Sequence, residues 1–389
     1  MDKGPSTVLI MYIKFNAAPG YTIGVELEVQ TISPRTGELV PGAGVILSEL
    51  SGEVLFKPEL FSSTIEINTP VCHTFKELED SLGNNLHKLQ DVAEENELNI
   101  LISGCHPFAN WQQQKITHLE RYQNLLHRIR WPVRQFLIFG LHVHVGIDDP
   151  DKVIYVMNRM TNYLPHLIAL SASSPFWNGF DTGLATTRIK IFEELPNAGI
   201  PYYFKNWKNY SALVENLIKT NSIDTVRDIW WDIRPHPIFG TIEVRACDAM
   251  PTLKENLALS ALIYLLAIKF GEEYESNGKM HRMDRWVLEE NKWRATRYGI
   301  QGEFLNGTKG ETISIKTSLM ELYQEVLKFS DKKKYQSARE YLMVIPEILT
   351  KGPSYLRQRQ WTLKRPGDYK YIVDNLLRET RENVLLNGS

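Results

Sequence analysis

The chain has 389 residues, with 44 Lys and Arg against 46 Asp and Glu, so its formal charge of −2 supplies no long-range field to recruit nucleic acid or anionic lipid. With 43% hydrophobic and 11% aromatic residues it can bury a sizeable core, which excludes disorder as its main state. Cys72, Cys105 and Cys247 are an odd number without metal-ligand spacing, which argues against a disulfide framework and suits buried thiols in a reducing cytosol.

Near the N-terminus Lys3 precedes the apolar run Thr7–Ile13, the outline of a signal peptide, but Lys14 interrupts it at the minimum length of such a region. A cytoplasmic protein is expected, with an N-terminal tail or strand over 1–20 and a single domain over 21–389. Short β-branched stretches predict strands at Thr22–Thr31, Ser63–Asn68, Asn99–Ser103, Gln135–Ile147 and Gly240–Cys247. Thr74 with Glu77, and Thr252 with Glu255, match the capping box ahead of apolar helical periodicity, predicting helices at about 74–97 and 253–270. The apolar run Leu257–Ile268 falls well short of the roughly 20 residues needed to span a bilayer, so it reads as a buried helix and no membrane partner is expected. From about 271 to 389, charged amphipathic stretches such as Ser314–Phe329 and Tyr369–Leu386 predict a mainly helical C-terminal part. The tryptophans at 207, 230, 231 and from 286 to 293 read as core filling. Strands first and helices later fit an α+β fold, with helices on one face of a largely antiparallel sheet.

What occupies the other face follows from parity, because successive strand side chains alternate sides. In Gly24–Gln30 the even positions are Glu26, Glu28 and Gln30, and the odd ones Val25, Leu27 and Val29. Glu66 shares its side of Thr64–Asn68 with other polar residues, His142 and His144 share one side of Leu141–Val145, and Glu243 and Arg245 share one side of Ile242–Ala246. If these strands form one sheet, a single face gathers Glu26, Glu28, Glu66, His142, His144, Glu243 and Arg245. A solvated face with charges paired across strands would account for any one strand. Four together, without a lysine, make a set that repels itself unless cations are present. Carboxylates with few imidazoles favour Mg²⁺ or Mn²⁺ over Zn²⁺, so a polynuclear hard-metal site is expected. There is no P-loop, no Rossmann glycine fingerprint following a strand and no Gly-x-Ser-x-Gly elbow, so metals and arginines must hold any phosphates.

Taken in order, Gly24–Glu28, Thr64–Pro70, Gly140–Gly146, Ser174–Trp177, Asp181–Gly183 with Arg188, and Gly240–Asp248 closely resemble the glutamate-cysteine ligase type 2, or carboxylate-amine ligase, family. The resemblance spans about residues 20 to 270. It implies a glutamine synthetase-like catalytic domain, with a curved antiparallel sheet whose open face binds ATP and divalent metal. It further implies an ATP-dependent ligase that phosphorylates a carboxylate, typically the γ-carboxyl of glutamate, and lets an amine such as cysteine displace phosphate. On this resemblance Glu26, Glu28, Glu66, His142 and Glu243 are metal ligands. Arg245 steadies the transferred phosphate, and His144 lies nearer the transferred group or substrate. Glu59 stands where related ligases place an acidic ligand or an acid near the amine, and Arg188 and Arg234 are candidates for a substrate carboxylate or for nucleotide phosphate. Leu27 occupies a position that is commonly acidic in the family, and by parity it should face the core. Another amine in place of cysteine, a guanidino-kinase-like phosphotransferase and a non-catalytic binding protein remain alternatives, and a homo-oligomer is left open.

Overall fold

Alternation of apolar and polar side chains gives the central sheet its two different faces. The computed structural model describes residues 13–384. Seven strands form the sheet: β1 (Ile23–Ile32), β2 (Phe56–Pro58), β3 (Thr64–Asn68), β4 (Asn99–Leu101), β5 (Gly140–Gly146), β6 (Ile233–His236) and β7 (Thr241–Asp248). They lie in the order β6-β7-β5-β1-β3-β2, with β4 pairing the end of β1, and every pairing is antiparallel. The two strands not anticipated, β2 and β6, contain Pro58 and Pro235 and lie at the sheet's two edges, where a residue without an N–H breaks no ladder. The strand expected over 135–147 begins only at Gly140, because Trp131–Arg134 forms a helical turn ahead of it.

The inner face carries Val25, Leu27, Val29, Ile65, Ile67, Val143, Val145, Ile242 and Val244, all buried, at roughly 1.5–3 kcal/mol for each such side chain removed from water. Leu27 is in this set, as parity requires. The helix Leu253–Glu275, apolar almost all round, packs against β5 and against the helix Pro150–Thr161. It begins where predicted, with Thr252 accepting the Glu255 N–H. The helix Phe75–Glu95 begins the same way, with Thr74 accepting from Glu77. Among the described residues no helix is long and apolar enough to cross a membrane. Beyond Glu275 the chain is mostly helical, the last helix running Tyr369–Val384, and residues 385–386 of the expected stretch lie outside the described residues. Of the expected tail or strand over 1–20, residues 1–12 also lie outside them, and 13–20 are irregular.

Trp207 and Trp231 fill core, but Trp286 and Trp293 do not, being 55% and 43% exposed. Their helix, Arg285–Tyr298, buries Val287, Leu288, Asn291, Lys292, Ala295 and Thr296, so its period turns positions 286 and 293 outward. All three cysteines are free and buried.

Candidate active site

The register of the sheet assembles the polar face. Glu26 of β1 lies opposite His142 of β5, Glu28 opposite Glu66 of β3, and Glu243 of β7 opposite His144. Arg234 of β6 lies opposite Glu243. Between Val244 and Cys247, β7 takes three steps where β5 takes two, a bulge that lodges Arg245 and Ala246 against one partner position. Both of their N–H groups donate to the Asp232 carbonyl, at 2.8 and 3.2 Å.

Two acid groups result. In the first, Glu26, His142 and Glu243 bring ligand atoms within 4.8 Å of one another, an arrangement able to hold a metal ion. Glu26 Oε2 lies 3.1 Å from His142 Nδ1, and its Oε1 3.4 Å from His144 Nε2. Burial works to raise the Glu26 carboxyl, but these two imidazoles overcome it and hold the group well below the usual range. Burial and the Arg245 charge lower His142 to about 4, so its imidazole is neutral, and among the described residues its buried Nε2 has no hydrogen-bond partner. His144 is opposed by burial yet raised overall by Glu243 and Glu26, and its Nδ1 meets Thr241 Oγ1 at 3.0 Å. Glu243 is gripped by Arg234, at 2.8 Å to Nε and 3.2 Å to Nη2, and by Arg245 Nη1. Against its burial, those guanidiniums hold it ionised.

The second group is Glu28, Glu59 and Glu66. Burial first, then the neighbouring Glu66, pushes Glu28 up to about 7 despite the charge of Arg188. Glu28 Oε2 accepts the Gly140 N–H at 2.5 Å. Glu59 is raised well above its ordinary value by burial and by Glu66 and Glu28, and Glu66 is raised by burial and by Glu26. Three acids raised chiefly by burial, and further by neighbouring carboxylates, form a pocket that favours an added cation.

The three arginines differ. Arg245 meets Glu243 from the bulge, and its buried Nε has no partner among the described residues. Arg234 spends Nε and Nη2 on Glu243 and Nη1 on the carbonyls of Arg227 and Ile229, so it chiefly holds Glu243 in place. Arg188 is 1% exposed; its Nη2 reaches the Arg245 carbonyl at 3.2 Å, and its buried Nε and Nη1 have no partner among the described residues.

Two cavities lie over this face and share Glu26, Lys57 and Phe239 in their walls. One, of about 540 Å³, is charged and lined by Glu59, Glu66, Arg121, Arg128, Arg234 and Glu243 among others. The other, of about 550 Å³, is largely apolar, with Val54, Leu55, Pro70 and Val71, and reaches His144 and Thr241. At the junction Phe239 stacks on His236 with ring centroids 4.1 Å apart. Arg121, Tyr122, Arg128 and Lys57 were not anticipated. The first three sit on the helix Glu120–Ile129, which buries only Tyr122 and is tied down by polar contacts: Tyr122 Oη to the Pro58 carbonyl at 2.8 Å, and Arg128 to Asp224 and Asp228 at 2.8 and 2.7 Å. Trp230, expected in the core, lies instead half-buried in the wall of the charged cavity.

The open face of this antiparallel sheet thus carries a carboxylate–imidazole–arginine array. The fold is shared with the glutamate–cysteine ligase of Francisella tularensis solved in complex with AMP, at a TM-score of 0.69 and 13% identity over 95% of this chain and 90% of that one. It is shared too with a bifunctional glutathione synthetase from Pasteurella multocida, at 0.67 and 13%, over 94% of this chain and 53% of that one. Residues 22–374 match the model of Glutamate-cysteine ligase family 2. A candidate glutamate–cysteine ligase 2 of Gloeobacter violaceus is 42% identical over 354 residues, covering 90% of this chain and 94% of that protein. A candidate glutamate–cysteine ligase 2-1 of Frankia alni is 39% identical over 375 residues, covering 95% and 97%. The chain therefore belongs to glutamate–cysteine ligase family 2, whose members are ATP-dependent ligases that form C–N bonds.

Proposed function

We propose that this protein uses ATP to join the γ-carboxyl of glutamate to the amine of cysteine, forming γ-glutamylcysteine with release of ADP and phosphate. The observation that carries the reading is the cross-strand register of Glu26 with His142, Glu28 with Glu66 and Glu243 with His144, beneath two joined cavities. A carboxylate is a poor electrophile until one oxygen becomes a leaving group, so phosphoryl transfer to give an acyl phosphate precedes attack by the amine.

The donor set fits a hard divalent cation, being carboxylate oxygens with one neutral imidazole whose Nε2 is unpartnered. Glu26, His142 and Glu243 would hold one Mg²⁺ or Mn²⁺, and Glu28, Glu66 and Glu59 another. When bound, such ions offset the charge spread over the phosphate oxygens. The chain's own groups do the rest. Arg245, oriented by Glu243 and with an Nε still free, supplies a planar donor fork to the transferred phosphoryl group. The apolar cavity, with the Phe239 ring at its inner end, suits a purine, and His144 stands where that cavity meets Glu26. Arg188, with two unsatisfied donors, suits the substrate's carboxylate once side chains around it shift. Arg234 keeps Glu243 in register.

The test is to incubate the protein with ATP, Mg²⁺ and glutamate against a panel of amines. ADP, phosphate and amide that appear together, and fastest with cysteine, are expected. Amide formed faster with another amine would replace cysteine in the reading, and a phosphorylated amine without free phosphate would make the protein a phosphotransferase. Silence with every amine would overturn ligation.

A further inference from the structure

The helix Arg285–Tyr298 belongs to the C-terminal part of the chain and lines neither cavity, yet it bonds to residues next to Arg188 and to the partner of the Arg245 backbone. We propose that Lys292, on that helix, is a positioning residue for this arginine pair. The proposal rests on the reading of Arg245 and Arg188 as the groups that meet phosphate and substrate carboxylate.

Lys292 is 4% exposed, and its ammonium lies 2.5 Å from Asp232 Oδ2 and 2.6 Å from Glu193 Oε1. Each of those acids leads to one arginine. The Asp232 carbonyl accepts the N–H groups of Arg245 and Ala246, the two bulge residues, so fixing Asp232 fixes the backbone from which Arg245 projects. Glu193 is the C-terminal cap of the short helix Arg188–Phe192. The helix Arg285–Tyr298 also grips the segment before Arg188, since the Thr296 carbonyl accepts the N–H groups of Ala185 at 2.8 Å and Thr186 at 3.2 Å. The two arms close on each other where Arg188 Nη2 donates to the Arg245 carbonyl at 3.2 Å. One buried ammonium thus spans the supports of both guanidiniums. A buried ion network gives little net stability over a well-packed apolar substitute, so the role proposed for this one is to fix the geometry of the groups it joins. Misplacing a transition-state group by an ångström can cost on the order of 100-fold in rate.

The experiment replaces the whole network by near-isosteres, Glu193→Gln with Asp232→Asn and Lys292→Met, so that no buried charge is left alone. The expected protein unfolds within a few degrees of wild type, with kcat lower by about tenfold or more and KM for ATP and glutamate changed less than about threefold. In a background carrying both Arg188→Lys and Arg245→Lys the same triple change should cost under about twofold more, because the guanidiniums it positions are gone. Equal losses in both backgrounds, or wild-type kcat in the folded triple variant, would overturn the proposal. Should the triple variant not fold, Lys292→Arg keeps the charge while widening the donor head, and a wild-type kcat there overturns the proposal equally. A wild-type protein silent with every amine refutes the ligation instead. The deciding measurement is then a crystal structure of whichever of the two variants folds: an unchanged bulge and an unchanged Arg188–Arg245 contact would overturn the positioning role.

Discussion

Replacing Gly140 by alanine would put a methyl carbon against the Arg188 guanidinium, 2.8 Å from Cζ and 3.1 Å from Nε, inside any contact real side chains tolerate. Gly140 starts β5, pairs with Asp248 and donates its N–H to Glu28, so its backbone is held and Arg188 must move. Overpacking of this kind costs about 1–3 kcal/mol, and loss of the Arg188–Arg245 carbonyl bond adds about 0.5–1.5. Against this, alanine restricts the unfolded chain and returns about 0.4–1 kcal/mol. Urea unfolding should therefore show Gly140→Ala destabilised by about 1–3 kcal/mol with an unchanged slope. Because Arg188 is displaced, kcat/KM for glutamate should fall about tenfold to 100-fold. Gly44 is the control, since it sits exposed in the helix Ala43–Glu49 with no atom within 4 Å of an added methyl. Gly44→Ala should be neutral or up to about 1 kcal/mol more stable, with wild-type rates. Gly140→Ala with wild-type stability and kcat/KM would refute this account of the site's interior.

His142→Ala should reduce turnover by at least about 100-fold while circular dichroism and the thermal midpoint stay near wild type; near-normal rates at saturating Mg²⁺ would remove His142 from the metal site. Glu243→Gln should lose turnover and also about 3–5 kcal/mol of stability, because Arg234 and Arg245 are left sharing a buried neutral partner, and urea unfolding separates the two effects. Glu28, raised by burial to about 7, stabilises the metal-free fold fully below its unfolded value near 4.3, and that contribution is lost as pH rises through 7, about 4 kcal/mol in all. Added Mg²⁺ should thus stabilise the protein more at pH 8 than at pH 5 in urea melts, and equal effects would show that Glu28 does not sense the ion. Thr252→Ala removes a helix cap and should cost about 1 kcal/mol without altering initial rates.

The polar face was legible because alternation is local: Glu26, Glu28, Glu66, His142, His144 and Glu243 each declare their side within five residues of sequence. Its composition also implied an excess of negative charge that only cations could offset. The register refines this, since Glu243 is already matched by Arg234 and Arg245, while burial raises Glu28, Glu59 and Glu66, the last with Lys57 3.9 Å away. That pairing was hidden because β6 is a proline-bearing edge strand with no alternation of its own. The covering helix Glu120–Ile129 was equally silent, as a helix with one buried residue leaves no apolar stripe to read. Lys292 was invisible for the opposite reason, being a charged residue inside the buried stripe of its helix.

The placement of the cysteines matters for an enzyme proposed to handle free cysteine. Burial pushes the Cys72 thiol up to about 11 and Cys247 to about 12, and raises Cys105 well above its ordinary value. Disulfide exchange needs a thiolate that a partner sulfur can reach, and none of these three offers one at neutral pH. The folded protein should therefore resist capture by cystine as a mixed disulfide and be indifferent to thiol-directed reagents that would silence a ligase with a surface sulfur.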